Sequence, residues 1–138
     1  MHPLQKFIID LKSLDPESDY LVGDLYDLLE EIEGQTDLLG IVPDIFEFME
    51  NCPESDLGAP GPLVHFLESI ESYEHHLYES VRRKPVYYTV NMINRRLNHP
   101  DLNTKIELQL LKETLEHSEA SHEVKEEVQD YLERHGKA

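Results

Sequence analysis

Nowhere in these 138 residues do apolar and polar side chains alternate with period two over the length of a β-strand, whereas apolar residues recur at helical spacing from one end to the other. The nearest thing to alternation, Val86-Tyr87-Tyr88-Thr89-Val90, merges into a longer helical pattern through Ile93, Asn94 and Leu97. This periodicity predicts an all-α fold of seven or eight short helices. Elements that short, joined by brief loops, suit antiparallel hairpins stacked side by side better than a bundle of long rods. A chain of this length is expected to form one domain, 1–138, with a core that needs neither disulfide nor metal.

Taken in order, Leu4, Phe7, Ile8 and Leu11 predict a first amphipathic helix, stopped at Leu14-Asp15-Pro16. Ser18 or Asp19 is expected to cap a second, which runs through Tyr20, Leu21, Leu25, Leu28, Leu29 and Ile32 to Gly34. After a loop or single turn over 35–40, Pro43 opens a third, Asp44 to Asn51, with Ile45, Phe46 and Met49 inward and Phe48 on the polar side. The central stretch, 57–98, combines a Gly/Pro corner, a helical hairpin and the one basic cluster. Pro60 and Pro62 fix φ there, while Gly58 and Gly61 reach conformations their neighbours cannot. Leu63, Val64, Leu67 and Ile70 form one stripe and Tyr73, Leu77 and Val81 another; Pro85 ends that helix and Tyr87 to Leu97 forms the next. Asn103 or Thr104 should cap a helix through Ile106, Leu108, Leu111 and Leu115. Ser118 or Ser121 should start the last, with Val124, Val128, Tyr131 and Leu132, ending at Gly136.

Charge narrows the function classes. There are 29 acids against 12 Lys and Arg, a formal net charge of −17. Such a chain is repelled by nucleic acid and by anionic membrane, so neither is expected as a partner. The distribution is uneven: residues 1–57 hold 15 acids and 2 bases, and 82–98 hold 5 bases and no acid. The basic residues Arg82, Arg83, Lys84, Arg95 and Arg96 are expected to pair with acids of the first half or to complement helix ends. One cysteine, Cys52, rules out a disulfide within the chain, and a reducing, cytoplasmic setting is the simplest reading. Acids interrupt the N-terminal residues where a signal peptide would be apolar, and no run is long enough to span a membrane.

Chemistry finds little to use. His75 and His76 are adjacent, so they point about 100° apart on a helix, and no His-x3-His or Cys-x2-Cys pair accompanies them or His65. No metal, cofactor or catalytic residue is therefore predicted. Cys52 sits among acids that would raise its pKa, which reads as an inert thiol, and no serine lies in a Gly-x-Ser-x-Gly turn. Gly58 to Gly61 lacks the lysine and the N–H groups of a phosphate loop. The chain reads as a binding protein without enzymatic activity.

Acids recur on two successive helices with almost no lysine to balance them: Asp24, Asp27 and Glu31 on the second, Asp44, Glu47 and Glu50 on the third. Like charges at those spacings each cost a few tenths of a kcal/mol, about 0.2–0.5 per pair, which a basic protein partner would relieve on binding. Phe48 and Tyr20 are the aromatics expected to anchor such a contact. An acidic adaptor for an endogenous basic protein would look the same.

The run Gly-Ala-Pro-Gly-Pro-Leu-Val-His-Phe-Leu-Glu at 58–68 is followed by Tyr73-Glu74, Leu77, Glu79-Ser80, Arg82-Arg83-Lys84-Pro85, Tyr88-Thr89 and Met92-Ile93-Asn94-Arg95. This stretch resembles a family of small helical immunity proteins encoded beside bacterial polymorphic toxins, including contact-dependent growth-inhibition systems. The resemblance implies a HEAT-like helical protein that binds a cognate toxin domain, one to one, and blocks it without catalysis. It also implies that Pro60, Gly61, Pro62, His65, Arg83, Pro85, Thr89 and Asn94 serve the fold, with His65, Thr89 and Asn94 satisfying buried polar groups. A basic nuclease would be the natural target, since a basic cleft made for nucleic acid accepts an anionic competitor.

Overall fold

The computed structural model describes residues 1–136. Eight α-helices and one 3-10 turn, with no strand, make up the described secondary structure, so the chain is all-α. Contacts gather into two compact units, one from Met1 to Tyr73 and one from Glu74 onward.

The first unit holds α1 (Pro3–Lys12), α2 (Leu21–Glu31), a 3-10 turn (Leu38–Ile41), α3 (Val42–Asn51) and α4 (Pro62–Glu68). His2 caps α1, its Nδ1 accepting from the Leu4 N–H at 3.1 Å, and Pro3 follows in the first turn, where its missing donor costs nothing. The apolar stripe of α1, Phe7 and Leu11, packs on α2 and α3, while α2 also meets α4. Phe7, Leu11, Leu25, Ile45, Phe46, Met49, Leu63 and Leu67 are all essentially sealed from water, which makes this one continuous core.

Sequence and structure part company at three places here. Ser18 does not cap α2: its Oγ accepts from the Tyr20 N–H at 3.0 Å, closing a small turn ahead of the helix, and Tyr20 stands at the cap position without a side-chain hydrogen bond. On α3, Phe48 and Glu50 are buried, not turned to solvent. The inward set Val42, Ile45, Phe46, Phe48, Met49 and Glu50 covers most of the helix circumference, so a one-sided amphipathic reading fails for it. His65 on α4 is exposed and satisfies no buried group, because the burial stripe of this short helix is Leu63, Val64 and Leu67.

Between α3 and α4 the corner is tight. Gly58 and Gly61 have φ of 104° and 92°, and the Ala59–Pro60 bond is cis. A Cβ on Gly61 would collide with the Leu57 carbonyl oxygen, and one on Gly58 with the Gly61 Cα. Pro62, buried, then occupies the first turn of α4.

The second unit holds α5 (Glu74–Arg83), α6 (Tyr87–Leu97), α7 (Lys105–Thr114) and α8 (His122–Arg134). Helix α6 packs against the other three, and α7 meets α5 and α8. Arg82 and Arg83 lie in the last turn of α5, and Arg95 and Arg96 in the last turn of α6, where cations complement the helix dipole. Pro85 is buried just ahead of α6. The buried Thr89 Oγ1 accepts from the Val86 N–H at 3.2 Å, tying back the first turn of α6, and the buried Asn94 meets His135 Nε2 through its Oδ1 at 2.9 Å. Ser121 caps α8 by accepting from the Val124 N–H at 3.1 Å.

Of the apolar residues expected along α7, Ile106, Leu108, Leu111 and Leu115, only Leu111 is buried. The buried residues of α7 are Glu107, Leu110, Leu111 and Thr114, at i, i+3, i+4 and i+7, and Ile106 is exposed. Asn103, not Thr104, supplies the hydrogen bond at its start, accepting from the Lys105 N–H at 3.2 Å.

Candidate functional site: an acidic, tyrosine-bearing face on the first unit

The charge imbalance coincides with the division of the chain. Residues 1–73 carry 17 carboxylates and 2 lysines, a net −15, and residues 74–138 carry 12 acids and 10 bases, a net −2. Both lysines of the first unit are already engaged. Lys6 Nζ lies 2.6 Å from Asp10 and 3.7 Å from Glu31, and Lys12 Nζ lies 3.8 Å from Asp44. The Asp10 hydrogen bond holds the Lys6 ammonium above its usual pKa. The Glu31 and Asp44 contacts reach from α1 to α2 and α3 at the solvent surface, where water screens them and each contributes little.

Of the residues expected to meet a partner, Tyr20, Asp27, Glu31 and Glu47 are exposed, and Asp24 and Asp44 are half-buried. Tyr20, Asp24, Asp27 and Glu31 stand at i, i+4, i+7 and i+11, so α2 presents them on one stripe beside its buried Leu21, Leu25 and Leu28. Phe48 and Glu50 are not on this surface. The aromatic anchor assigned to Phe48 instead falls to tyrosines: Tyr20 is 77% exposed and Tyr26, which sequence reasoning passed over, 56%. The overlooked signal was Tyr26's position, on the side of α2 away from its leucines.

Sequence reasoning also passed over the loops. Residues 16–19, 21–22 and 51–56 line a groove of about 420 Å³ that carries Glu17, Asp19, Glu54 and Asp56. Ser55 Oγ donates to the Pro16 carbonyl at 2.7 Å and ties its two sides together. Cys52 borders this groove half-buried, and burial, opposed by a hydrogen bond with Ser55, pushes its thiol up; desolvation rather than the neighbouring acids is the cause. Among the described residues no three of His, Cys, Asp and Glu gather as a metal site, and no helix is long and apolar enough to cross a membrane.

The second unit contains a different polar centre. Glu107 on α7 is 1% exposed; its Oε2 accepts from Arg96 Nε at 2.7 Å and from the Tyr78 hydroxyl. The Arg96 guanidinium also lies 5.9 Å from the Tyr78 ring centroid. One of the basic residues thus serves the interior of its own unit. Burial pushes the Glu107 carboxyl up, but the Arg96 and Tyr78 hydrogen bonds and the Arg96 charge outweigh it and leave the group below the usual carboxylate range. Burial and the Glu107 hydrogen bond push the Tyr78 phenol up to about 12.

A pH window follows from the signs. Glu107, depressed in the folded state, contributes stability above the unfolded carboxylate value and loses it as pH falls through the folded one. Tyr78, raised, contributes fully below its ordinary value of 10.0 and loses that contribution as pH rises toward about 12. Denaturant unfolding across pH should show both limbs, and Tyr78→Phe should flatten the alkaline one. An alkaline limb unchanged by Tyr78→Phe would remove Tyr78 as its source.

Comparison of the chain with family models, with curated proteins and with solved structures finds no match.

Proposed function

We propose that this chain is an immunity protein: it binds a cognate basic toxin domain one to one and blocks it with the acidic face of its first unit. The observation that carries the reading is the outward stripe Tyr20, Asp24, Asp27 and Glu31 on α2, with Glu47 exposed on α3, in a unit of net −15 whose only lysines are engaged. Such a field steers a basic partner and raises its association rate, and exposed tyrosine supplies contact area at low entropic cost. The resemblance at 58–95 supplies the toxin and the HEAT-like hairpin arrangement; charge and exposure supply the face. A nuclease is the favoured target because a nucleic-acid cleft must be basic.

The test is growth of cells expressing the gene product encoded immediately upstream, with and without this protein. Protection is expected, together with fast, salt-sensitive binding. The fourfold variant Asp24→Asn, Asp27→Asn, Asp44→Asn, Glu47→Gln should weaken protection while the melting transition stays cooperative. Its association rate at low salt should fall by at least about tenfold. Protection that survives those four changes at ordinary salt removes the face from the proposal. An upstream product that is harmless alone favours the second reading, an acidic adaptor for an endogenous basic protein, which the same charge pattern fits.

A further inference from the structure

Helix α2 carries a glycine where nothing inside the chain asks for one. Gly23 is exposed, has ordinary helical backbone, and has no atom within 4 Å of where a Cβ would stand. Gly23 is the third residue of α2, in its first turn, where glycine is less favourable than alanine by a fraction of the about 1 kcal/mol it costs in a helix interior, and no positive φ or close internal contact accounts for it. Its neighbours on the helix surface are unusual too. Tyr20 and Tyr26 stand three residues before and after it, both exposed, and Asp27 and Glu30, also exposed, lie four and seven residues on. Residues three and four apart are surface neighbours, so the two rings flank a patch of bare backbone with carboxylates beside it. The face lies opposite the buried leucines of α2.

We infer that this face is where the partner docks, and that what docks is an arginine-bearing helix of a basic protein, its backbone brought close to α2 at Gly23 between Tyr20 and Tyr26. This rests on the immunity reading for the partner's biological identity and goes beyond it in naming the anchor and the chemistry. Bare backbone admits close approach, as glycine does wherever a backbone nears a ligand. Tyrosine faces accept a guanidinium by cation–π contact, and Asp27 and Glu30 offer the carboxylates that arginine engages with two parallel hydrogen bonds. Arginine rather than lysine follows from both geometries, since a planar fork can stack and bridge at once. A free tyrosine pair and a −15 unit select a cationic occupant over a second copy of this chain, which would bring like charge to like.

The experiment uses the isotope-labelled full chain and a helical peptide with arginine at every fourth position, with the lysine version as control. Saturable shift changes centred on Tyr20, Gly23, Tyr26 and Asp27 are expected, with the lysine peptide several-fold weaker. Gly23→Ala should melt up to about 4 °C higher, because helix propensity improves, and yet bind the arginine peptide about tenfold more weakly. Opposite signs in the two readouts separate a docking effect from misfolding. The inference is overturned if Gly23→Ala binds as the parent does, if the shifts instead follow Glu47 or the groove at Glu17 and Glu54, or if they appear on concentrating the protein alone. Protection that is real but indifferent to Gly23→Ala also sinks the docking face and leaves immunity standing. A peptide that maps to Gly23 beside a harmless upstream product does the reverse.

Discussion

Arg96→Ala should destabilise the unit that begins at Glu74 by about 3–5 kcal/mol, a large part of the stability of a fold this size. The cost comes less from the lost attraction than from what stays behind. Glu107 is 1% exposed, its Oε1 has no hydrogen-bond partner, and without Arg96 its Oε2 would keep only the Tyr78 hydroxyl. A buried carboxylate so left must carry its charge in a poor solvent or take up a proton, and either is unfavourable. The deficit should therefore be largest near neutral pH and shrink in acid, where protonation relieves the orphaned group. Replacing the centre as a whole, with Arg96→Met, Glu107→Leu and Tyr78→Phe together, should recover most of the loss, since apolar groups of similar volume substitute well for buried ion pairs. Chemical denaturation of the three chains measures all of this. A triple variant no more stable than Arg96→Ala would mean that the centre does more than satisfy itself.

Gly61→Ala should cost about 2–4 kcal/mol, for two reasons that add. The backbone sits at φ 92°, which a Cβ disfavours, and that Cβ would run into the carbonyl of the buried Leu57. Backbone, unlike a side-chain tip, cannot swing aside. Two other glycines calibrate the claim. Gly34 has φ 84° but open space around it, so Gly34→Ala should cost only about 1 kcal/mol from conformation alone. Gly23→Ala, with neither penalty, should stabilise. The order Gly61, Gly34, Gly23 in melting temperature is the test, and any inversion of the first two would remove the collision as the cause.

The candidate surface was legible to the extent that it depended on one helix. For α2, whose buried side is narrow, spacing alone put Asp24, Asp27 and Glu31 on the side away from the leucines, and the structure has Asp27 and Glu31 exposed and Asp24 half-buried; Tyr20, which spacing ran into the apolar stripe, is instead exposed just ahead of the helix. For α3 the same reasoning misplaced Phe48 and Glu50, because that helix is enclosed on most sides and no longer has a single polar face. The groove residues Glu17, Asp19, Glu54 and Asp56 come from two loops distant in sequence, and no periodicity links loops.

What the sequence determined by itself is the all-α character, the number of helices and most of their starts and stops. These rest on local physics: apolar spacing, proline in a first turn, glycine or a polar cap at an end. It also determined the charge of the first half, which composition carries whatever the fold. Tertiary structure alone decided which way α7 faces. KIELQLLKET spreads apolar residues around the helix, so spacing favoured no single side, and the buried stripe includes Glu107 and Thr114, whose polarity hides it. For Glu107 the choice was made elsewhere in the chain, since Arg96 and Tyr78 make its burial tolerable, whereas Thr114 is satisfied within α7, its hydroxyl donating to the Leu110 carbonyl at 2.8 Å. A polar side chain becomes a core residue only when its partners are already in place, and those of Glu107 lie on other helices.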